Sequence, residues 1–342
     1  MVMFDCVRVS GRLAVGVGAV LCAWSVAAAA AEPRIAASAV LQDHYPPQLV
    51  QFPGGVKGFA NLVYSAPQGY RPLTLDVYAK PADGRRRPLI LYVHGGGWLG
   101  GHSRNSGAFV NFPGVLADIA GSGYVVASVN YRLSGEARFP AAIQDVKLAL
   151  RWLRVHAADY GIDPDDVIVW GASAGGELAG LMATSCGNAA LAPVIPAGPE
   201  GTDARLAGAS DCVQGAVLWY GALDLTHMHE AQGTESAESR YLGCAPAACP
   251  DRARLASPTL QISKDTPPVL LSFGNNDKVV PPAESEAFHK QMLAAGRQCD
   301  ILELDGIGHS FVGKDQEATR KASLAALDAA IRFFHRIAPP VS

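Results

Sequence analysis

Short runs of apolar residues recur along the chain, separated by segments in which apolar residues are spaced as on one face of a helix. A short continuous apolar run is typical of a strand that is buried on both faces of a sheet. These runs, together with one alternating segment at the start of the series, predict strands at residues 73–79, 88–93, 125–129, 167–170, 213–219, 269–273 and 301–304.

Helical periodicity is clearest in two segments. In the first, which Pro140 is suited to begin, the apolar residues at helical spacing are Ile143, Val146, Leu150 and Leu153. In the second, near the end of the chain, they are Leu324, Leu327, Ile331 and Phe334. Strands that alternate with helices predict an α/β fold, with a mostly parallel central sheet and helices on both faces.

Three segments show neither a strand-like apolar run nor helical spacing of apolar residues. Residues 163–166, Asp-Pro-Asp-Asp, predict a turn before the fourth strand. Residues 187–211 and 226–264 are predicted to be irregular insertions. The second is long for a plain loop, so it either borders a site or is a disordered insertion. The length would permit two domains, but the element order predicts a single domain over residues 32–342.

Residues 1–31 have the pattern of a signal peptide. Basic residues precede the apolar stretch 13–23, and three alanines at 29–31 offer a small-residue cleavage site. The alternatives are a membrane anchor and lipidation at Cys22, although the apolar stretch is short for a span, which needs about 20 residues. We expect an exported protein, periplasmic or secreted, with no stable membrane insertion after signal removal.

Composition narrows the class of protein. The chain has 342 residues, 49% of them hydrophobic and 17% charged, with a formal net charge of −3. This balance suits a globular enzyme with a large core. Because the charge is near neutral and no basic run is present, we expect no nucleic-acid partner. Nothing in the sequence predicts an oligomeric state.

Five cysteines remain after signal removal, and an exported protein encounters oxidising conditions. We predict that Cys244 pairs with Cys249 and that Cys186 pairs with Cys212, which leaves Cys299 unpaired. The alternative is that all five are reduced packing residues. A zinc site is not expected, because no cysteine pair has a second pair or a histidine at ligand spacing.

The pentapeptide Gly171-Ala172-Ser173-Ala174-Gly175 lies between a predicted strand and a helix-like stretch at residues 177–184. In that context Gly-x-Ser-x-Gly predicts a nucleophile elbow, a sharp turn that exposes the serine hydroxyl above the sheet. The alternative is a plain glycine turn. We therefore take Ser173 as the candidate nucleophile.

In an open parallel sheet, active groups gather at the carboxyl ends of the strands. Asp277 and His309 follow two later predicted strands, so the chain order is Ser, Asp, His, as an α/β-hydrolase requires. Asp224 also follows a strand and is a rival for the acid. Asp305 is nearer to His309 in sequence but sits where a turn is expected, and His309 itself has a surface-loop alternative.

These residue types imply a proton relay. His309 would take the proton of Ser173 during attack on a carbonyl, and Asp277 would orient the imidazole and stabilise the imidazolium. Activity should fall at acid pH, because an imidazolium cannot accept the proton. No metal or organic cofactor is implied by this relay.

A second motif, His94-Gly95-Gly96-Gly97-Trp98, follows the strand at residues 88–93. Three glycines allow backbone amides to converge on an oxyanion, so Gly96 and Gly97, with Ala174, are the predicted donors. A phosphate-binding glycine loop is the alternative, but no Gly-x-Gly-x-x-Gly or Walker pattern is present. Adjacency to the catalytic loops suggests substrate-pocket candidates, which are Trp98, Leu223, Val279 and Phe311.

As an ordered set, these motifs resemble the α/β-hydrolase superfamily, and the resemblance spans residues 62–334. Besides the two glycine motifs, it rests on Asn130-Tyr131-Arg132-Leu133, Gly274-x-x-Asp277 and Gly308-His309-Ser310-Phe311. The chain is similar to secreted bacterial carboxylesterases related to hormone-sensitive lipase, and among them to the feruloyl and acetylxylan esterase type. The resemblance implies a serine carboxylesterase acting on short-chain or aryl esters, as small molecules or as ester groups of plant polysaccharide.

Two positions depart from that pattern. Ala172 stands where many relatives of hormone-sensitive lipase carry an acid, and the loop at residues 275–277 lacks the usual acid motif of that group. These departures weaken a strict lipase assignment. Three alternatives to the esterase remain open. They are an arylformamidase-like amidase, a serine peptidase with the same triad, and a non-catalytic α/β-hydrolase binding protein.

Overall fold

A computed structural model describes residues 48–67, 69–195, 204–227 and 235–341. Nine strands of this part form one sheet. In chain order they are β1 (Gln48–Gln51), β2 (Lys57–Ser65), β3 (Leu73–Ala79), β4 (Arg87–Val93), β5 (Val125–Val129), β6 (Ile162–Ala172), β7 (Gly215–Trp219), β8 (Val269–Gly274) and β9 (Cys299–Leu304).

The spatial order of the strands is β1-β2-β3-β5-β4-β6-β7-β8-β9. The pairs from β5 through β4 to β9 are all parallel. The pairs that join β1, β2, β3 and β5 are antiparallel. The prediction of a mostly parallel central sheet is confirmed, and the carboxyl ends of its parallel strands lie at one edge.

Helices connect most of these strands. The described α-helices are α1 (Phe112–Gly121), α2 (Ala141–Val155), α3 (Ala157–Tyr160), α4 (Ala174–Thr184), α5 (Ala204–Gly208), α6 (Ala237–Leu242), α7 (Pro250–Leu255), α8 (Pro282–Ala294) and α9 (Gln316–Ile337). Short 3-10 helices are at Pro53–Gly55, Ala189–Leu191, Pro246–Ala248, Pro258–Gln261 and His309–Phe311.

The sheet is buried on both faces, as β4 illustrates. Leu89 and Leu91 belong to one apolar cluster, which the buried residues of α2, α4 and α8 share. Ile90 and Tyr92 point the other way, into a second cluster with α1 and α9. Because successive side chains of a strand alternate between faces, a continuous apolar run fills both cores. The predicted helices on both faces are confirmed.

Two strands at the start of the sheet were not predicted. All four residues of β1 are exposed, so this strand has no pattern of buried apolar residues from which it could be predicted. The inward positions of β2 are Gly58, Ala60, Leu62 and Tyr64, and two of them are too small to give a clear alternation. Both strands are defined by pairing with a neighbour rather than by their own sequence.

The turn predicted at residues 163–166 is wrong in part, because the structure includes this segment in β6. The pairing with β4 passes from Asp163 opposite Pro88 directly to Val167 opposite Leu89. The residues between them therefore form a bulge. The proline and the acids interrupt the ladder without ending the strand.

The predicted signal peptide at residues 1–31 lies outside the described residues. In the two predicted irregular segments, the described parts contain short helices, α5 in the first and α6 and α7 in the second. Among the helices that the structure describes, none combines the length and the apolar character needed to cross a membrane.

One disulfide flanks the first of these segments, and a second lies within the other. Cys186 is bonded to Cys212 and Cys244 is bonded to Cys249, in the predicted pairing. Cys299 is a free, buried cysteine at the start of β9. The first bridge joins the end of α4 to the approach to β7, and the second follows α6.

Candidate active site

Ser173 lies between the end of β6 and the start of α4, with φ +55° and ψ −121°. The surrounding backbone is so close that only glycine fits beside it. A Cβ on Gly171 would be 2.0 Å from the carbonyl oxygen of Gly175, and one on Gly175 would be 2.1 Å from that of Val93. The two glycines of the pentapeptide are therefore required by the turn itself.

Ser173, His309 and Asp277 form one hydrogen-bonded row. The Ser173 Oγ is 3.0 Å from the His309 Nε2, and the His309 Nδ1 is 2.8 Å from the Asp277 Oδ2. Asp277 is only 3% exposed. Its other oxygen, Oδ1, accepts the amides of Val279 and Val280 at 2.8 and 2.9 Å. The carboxylate is therefore fixed in orientation, and the row has the geometry of a catalytic triad.

The sheet brings the acid and the base together. Asp277 follows β8 and His309 follows β9, which are parallel neighbours. The two loops touch at Gly274, where a Cβ would be 2.1 Å from the carbonyl oxygen of Ile307. A residue other than glycine at this point would force the loops apart and displace His309 from Asp277.

The rival acids are engaged elsewhere. The Asp224 Oδ1 accepts the amide of Thr226 at 2.9 Å. The Asp305 Oδ1 accepts the side-chain amide of Asn275 at 3.0 Å, in the turn that follows β9. The Asp224 carboxylate therefore stabilises a local backbone turn, which is an ordinary role for aspartate. The Asp305 carboxylate instead links the turn after β9 to the loop after β8.

The glycine-rich loop after β4 packs directly against the elbow. A Cβ on Gly95 would lie 3.1 Å from the Ser173 Cβ and 2.6 Å from the carbonyl oxygen of Ala172. Gly96 and Gly97 both have positive φ, +118° and +61°. This backbone conformation favours glycine, and it turns the loop back on itself beside the serine.

His94 supports this loop rather than the proton relay. It is 2% exposed, and its Nδ1 donates to the carbonyl oxygen of Gly95 at 2.8 Å. Tyr131 stacks on the imidazole at 4.4 Å and donates its hydroxyl to the His94 carbonyl oxygen at 2.9 Å. Burial lowers the pKa of His94 to about 4, so the ring is neutral at neutral pH.

The predicted oxyanion donors come from two elements that flank Ser173. Gly96 and Gly97 belong to the glycine-rich loop, and Ala174 is the first residue of α4. The first amides of a helix have no carbonyl partner within the helix, and the helix dipole favours negative charge at that end. An oxyanion formed on a carbonyl bound to Ser173 would develop at this junction.

A cavity of about 830 Å³ opens onto Ser173 and His309. Trp98 and Val279 line it, as predicted from their position. Leu223 and Phe311 do not, and this part of the prediction is wrong. Leu223 is fully buried in the core, and Phe311 packs against Trp219 and Tyr220 on the other face of the sheet. Sequence adjacency to a catalytic loop does not fix the direction of a side chain.

Tyr220, which directly follows β7, was not predicted as a site residue. Its φ is +39°, an unusual value for a non-glycine residue, and its ring meets the His309 ring edge-on at 4.9 Å. Its position at the end of a parallel strand could have identified it as a candidate site residue. Further polar residues line the cavity, namely Asn105, Ser106, Glu238, Lys278 and Ser310. Within the described ranges, no cluster of three or more potential metal ligands is present.

Comparison with known proteins extends these findings. The family model described as BD-FAE matches residues 75–292. Esterase LipQ of Mycobacterium tuberculosis is 33% identical over 290 residues, which cover 81% of this chain and 63% of LipQ. Across three curated relatives from that organism, the chain spans 49 to 63% of their length.

Two solved structures share the fold. A truncated carbohydrate esterase from gut microbiota is 26% identical, with a TM-score of 0.63, and the match covers 79% of this chain and 95% of that one. The propionate-bound esterase Est2 of Thermogutta terrifontis is 25% identical, also with a TM-score of 0.63, covering 88% and 98%. With the strand order and the family match, these findings show that the chain belongs to the BD-FAE family and has the α/β-hydrolase fold.

Proposed function

We propose that this protein is a serine carboxylesterase. The single observation that carries the proposal is the row in which Ser173 Oγ, the His309 imidazole and Asp277 are joined at 3.0 and 2.8 Å. This row lies beside the glycine-rich loop and opens into a cavity. Its substrates are short-chain or aryl esters, including ester groups on plant polysaccharide.

Acylation begins when the Ser173 oxygen attacks the ester carbonyl carbon and its proton passes to the His309 Nε2. The carbonyl oxygen becomes an oxyanion, which the amides of Gly96, Gly97 and Ala174 stabilise. The carbon–oxygen bond to the alcohol then breaks. The leaving alkoxide takes the proton from His309, and the acyl group remains on Ser173.

Deacylation repeats these steps with water. His309 takes a proton from water as the water oxygen attacks the acyl carbon, and the Ser173 oxygen leaves with that proton. The products are a carboxylic acid and free enzyme. Asp277 stabilises the imidazolium in both halves, and its two backbone hydrogen bonds keep it aimed at the His309 Nδ1.

The cavity supports the proposed substrate class. Trp98 and Val279 contribute apolar surface, which suits a short acyl chain or an aromatic ring. Asn105, Ser106 and Glu238 contribute polar groups, which suit a hydroxylated alcohol. The carbohydrate esterase and the propionate-bound esterase among the solved structures support the same substrate class.

We also propose that the protein acts outside the cytoplasm. Two disulfides among the described residues support this location, because such bonds persist mainly in oxidising compartments. Mass spectrometry of the mature protein would test the proposed signal peptide, with a new N-terminus expected at Glu32. A mature protein that begins at Met1 would contradict it.

Ser173→Ala tests the mechanism. We expect kcat for p-nitrophenyl acetate to fall by about 10⁶, because the nucleophile is lost while the remaining site still binds the ester. Ser263→Ala, at an exposed surface loop, is the matched control and should retain full activity. A fluorophosphonate should phosphonylate Ser173 alone, with a new O–P bond at the serine and loss of fluoride, which mass spectrometry would detect as the mass of the phosphonyl group. Normal turnover by Ser173→Ala would overturn the proposal.

A substrate panel tests the proposed class. Acetyl, butyryl, octanoyl and feruloyl esters and an aryl formamide should be compared by kcat/KM. We expect the short-chain and aryl esters to be preferred, because the cavity is bounded by a partly polar wall. A preference for the octanoyl ester or for the formamide would contradict the proposed substrate class while leaving the nucleophile intact.

A further inference from the structure

Trp98 holds a strained position at the end of the glycine-rich loop. Its φ is +57°, in the left-handed region that a bulky residue rarely adopts. Such a conformation is unfavourable and persists only where the surroundings determine it. The side chain is 2% exposed, so the contacts that determine it lie inside the protein.

Those contacts hold Trp98 from three directions. Its ring stacks on Tyr241 of α6 with centroids 4.5 Å apart and an interplanar angle of 5°. Its carbonyl oxygen accepts the Ser134 amide at 2.8 Å. Its indole Nε1 donates to the Glu177 Oε2 at 3.1 Å. The third contact connects the loop to a different element, the helix that follows the candidate nucleophile.

Glu177 lies in the first turn of α4 and is fully buried. Its amide donates to the carbonyl oxygen of Ser173 at 3.0 Å. Burial raises the pKa of its carboxyl well above the usual range, against the opposing hydrogen bonds with Trp98 and Tyr241. A buried carboxyl is costly, and leucine or methionine would fill the same space at lower cost. The carboxyl is therefore present for the bond that it makes.

We infer that Glu177 is a positioning residue for the oxyanion hole, an inference that rests on the proposed function. Gly96 and Gly97 immediately precede Trp98, and Ala174 precedes Glu177 by one helical turn. The hydrogen bond between Glu177 and Trp98 therefore ties the loop that carries two of the donors to the helix that carries the third. Together they keep three amides in one geometry around the oxygen that becomes negative.

Two variants of Glu177 test this inference. Glu177→Met removes the acceptor, and we expect kcat/KM for p-nitrophenyl acetate to fall by about 10- to 100-fold, as misplaced catalytic groups do. Glu177→Gln keeps an oxygen that accepts the indole proton, and it should recover most of that loss. A trifluoromethyl ketone, which forms an oxyanion on Ser173, should bind more weakly to Glu177→Met in proportion to the loss of kcat/KM.

Further variants separate positioning from stability. Thr184→Val, at the other end of α4, is the matched control, and it should lower Tm without changing the inhibition constant of the ketone. Trp98→Phe keeps the ring on Tyr241 but removes the donor, so it tests the same bond if Glu177→Met does not fold. Combined with Glu177→Met, it should cost much less than the sum of the two single changes.

The outcomes distinguish the two proposals. If the wild-type protein hydrolyses no ester, or does so without Ser173, the proposed function fails. If the wild-type protein is active and Glu177→Met lowers only Tm, the inference about Glu177 fails alone. Additive effects of Trp98→Phe and Glu177→Met on kcat/KM would also overturn it.

Discussion

At the scale of single residues, the backbone around Ser173 carries most of the geometry of the candidate site. The positive φ of this serine is unfavourable for a residue with a side chain. It is fixed by the amide of Ser173, which donates to the Trp219 carbonyl oxygen at 2.9 Å, and by the helix that starts at Ala174. The same turn directs the hydroxyl toward His309.

Asp277→Asn and Asp224→Asn should differ strongly in kcat. An asparagine at residue 277 would present an amide or a weaker acceptor to the His309 Nδ1, so we expect a loss of about 10⁴. Asp224 makes its hydrogen bonds to a local turn, and an asparagine there can still accept them. Steady-state kinetics with p-nitrophenyl acetate would measure both, and the reverse ranking would show that Asp277 is not the acid.

At the scale of elements, the clearest apolar patterns in the sequence belong to the strands that are buried on both faces of the sheet. All residues of β4 and β5 are buried, and both strands were predicted from their apolar runs. In contrast, α6 is six residues long and lies in a segment rich in small and polar residues. It begins at a cap in which the Ser236 side chain accepts the Ser239 amide. Its importance comes from Tyr241, which packs on Trp98.

The two disulfides should stabilise the protein unequally. The bond between Cys186 and Cys212 spans 26 residues, and that between Cys244 and Cys249 spans 5. In the chain-entropy model, the longer loop contributes about 3.5 kcal/mol and the shorter about 2 kcal/mol. Paired serine replacements, one pair for each bridge, should lower the free energy of unfolding in urea in that order.

Peptide mapping without reduction is the direct measure of the same bridges. It should recover a peptide pair that contains Cys186 and Cys212, and a single looped peptide that contains Cys244 and Cys249. Cys299 is buried and should react with a thiol reagent only after unfolding. Alkylation of Cys244 and Cys249 in the native, non-reduced protein would contradict the second bridge.

At the scale of the whole molecule, the pKa of Glu284 couples stability to pH. Glu284, in the first turn of α8, accepts the amide of Asp224 at 2.6 Å. Burial raises the pKa of its carboxyl from 4.5 to about 7, and the nearby Asp224 carboxylate adds to this increase while His227 opposes it. This group therefore titrates in the neutral range only when the protein is folded.

Because the pKa of Glu284 is raised in the folded state, the folded protein binds more protons than the unfolded chain between pH 4.5 and about 7. Its contribution to stability is complete below pH 4.5 and is lost as pH rises through about 7. Glu284→Gln keeps the acceptor and removes the titration. Urea unfolding should therefore show the variant gaining stability relative to wild type from pH 5 to pH 8, and parallel pH curves would refute this.

The sequence by itself determined the buried strands, the elbow and the order of the three candidate catalytic residues. These features depend on local chemistry: apolar runs need burial on both faces, and a turn as tight as that at Ser173 needs glycine at 171 and 175. The sequence did not predict β1, β2 or α6, whose boundaries depend on pairing and packing with distant parts of the chain.

Only the tertiary structure decided which acid reaches His309 and which side chains line the cavity. Asp224 and Asp277 both follow parallel strands, yet β8 is the neighbour of β9 and β7 is not. Leu223 and Phe311 follow or adjoin the loops of the candidate catalytic residues, yet both turn into the core. The bond between Trp98 and Glu177 joins residues 79 positions apart. Such choices depend on distances between elements, which local sequence patterns do not encode.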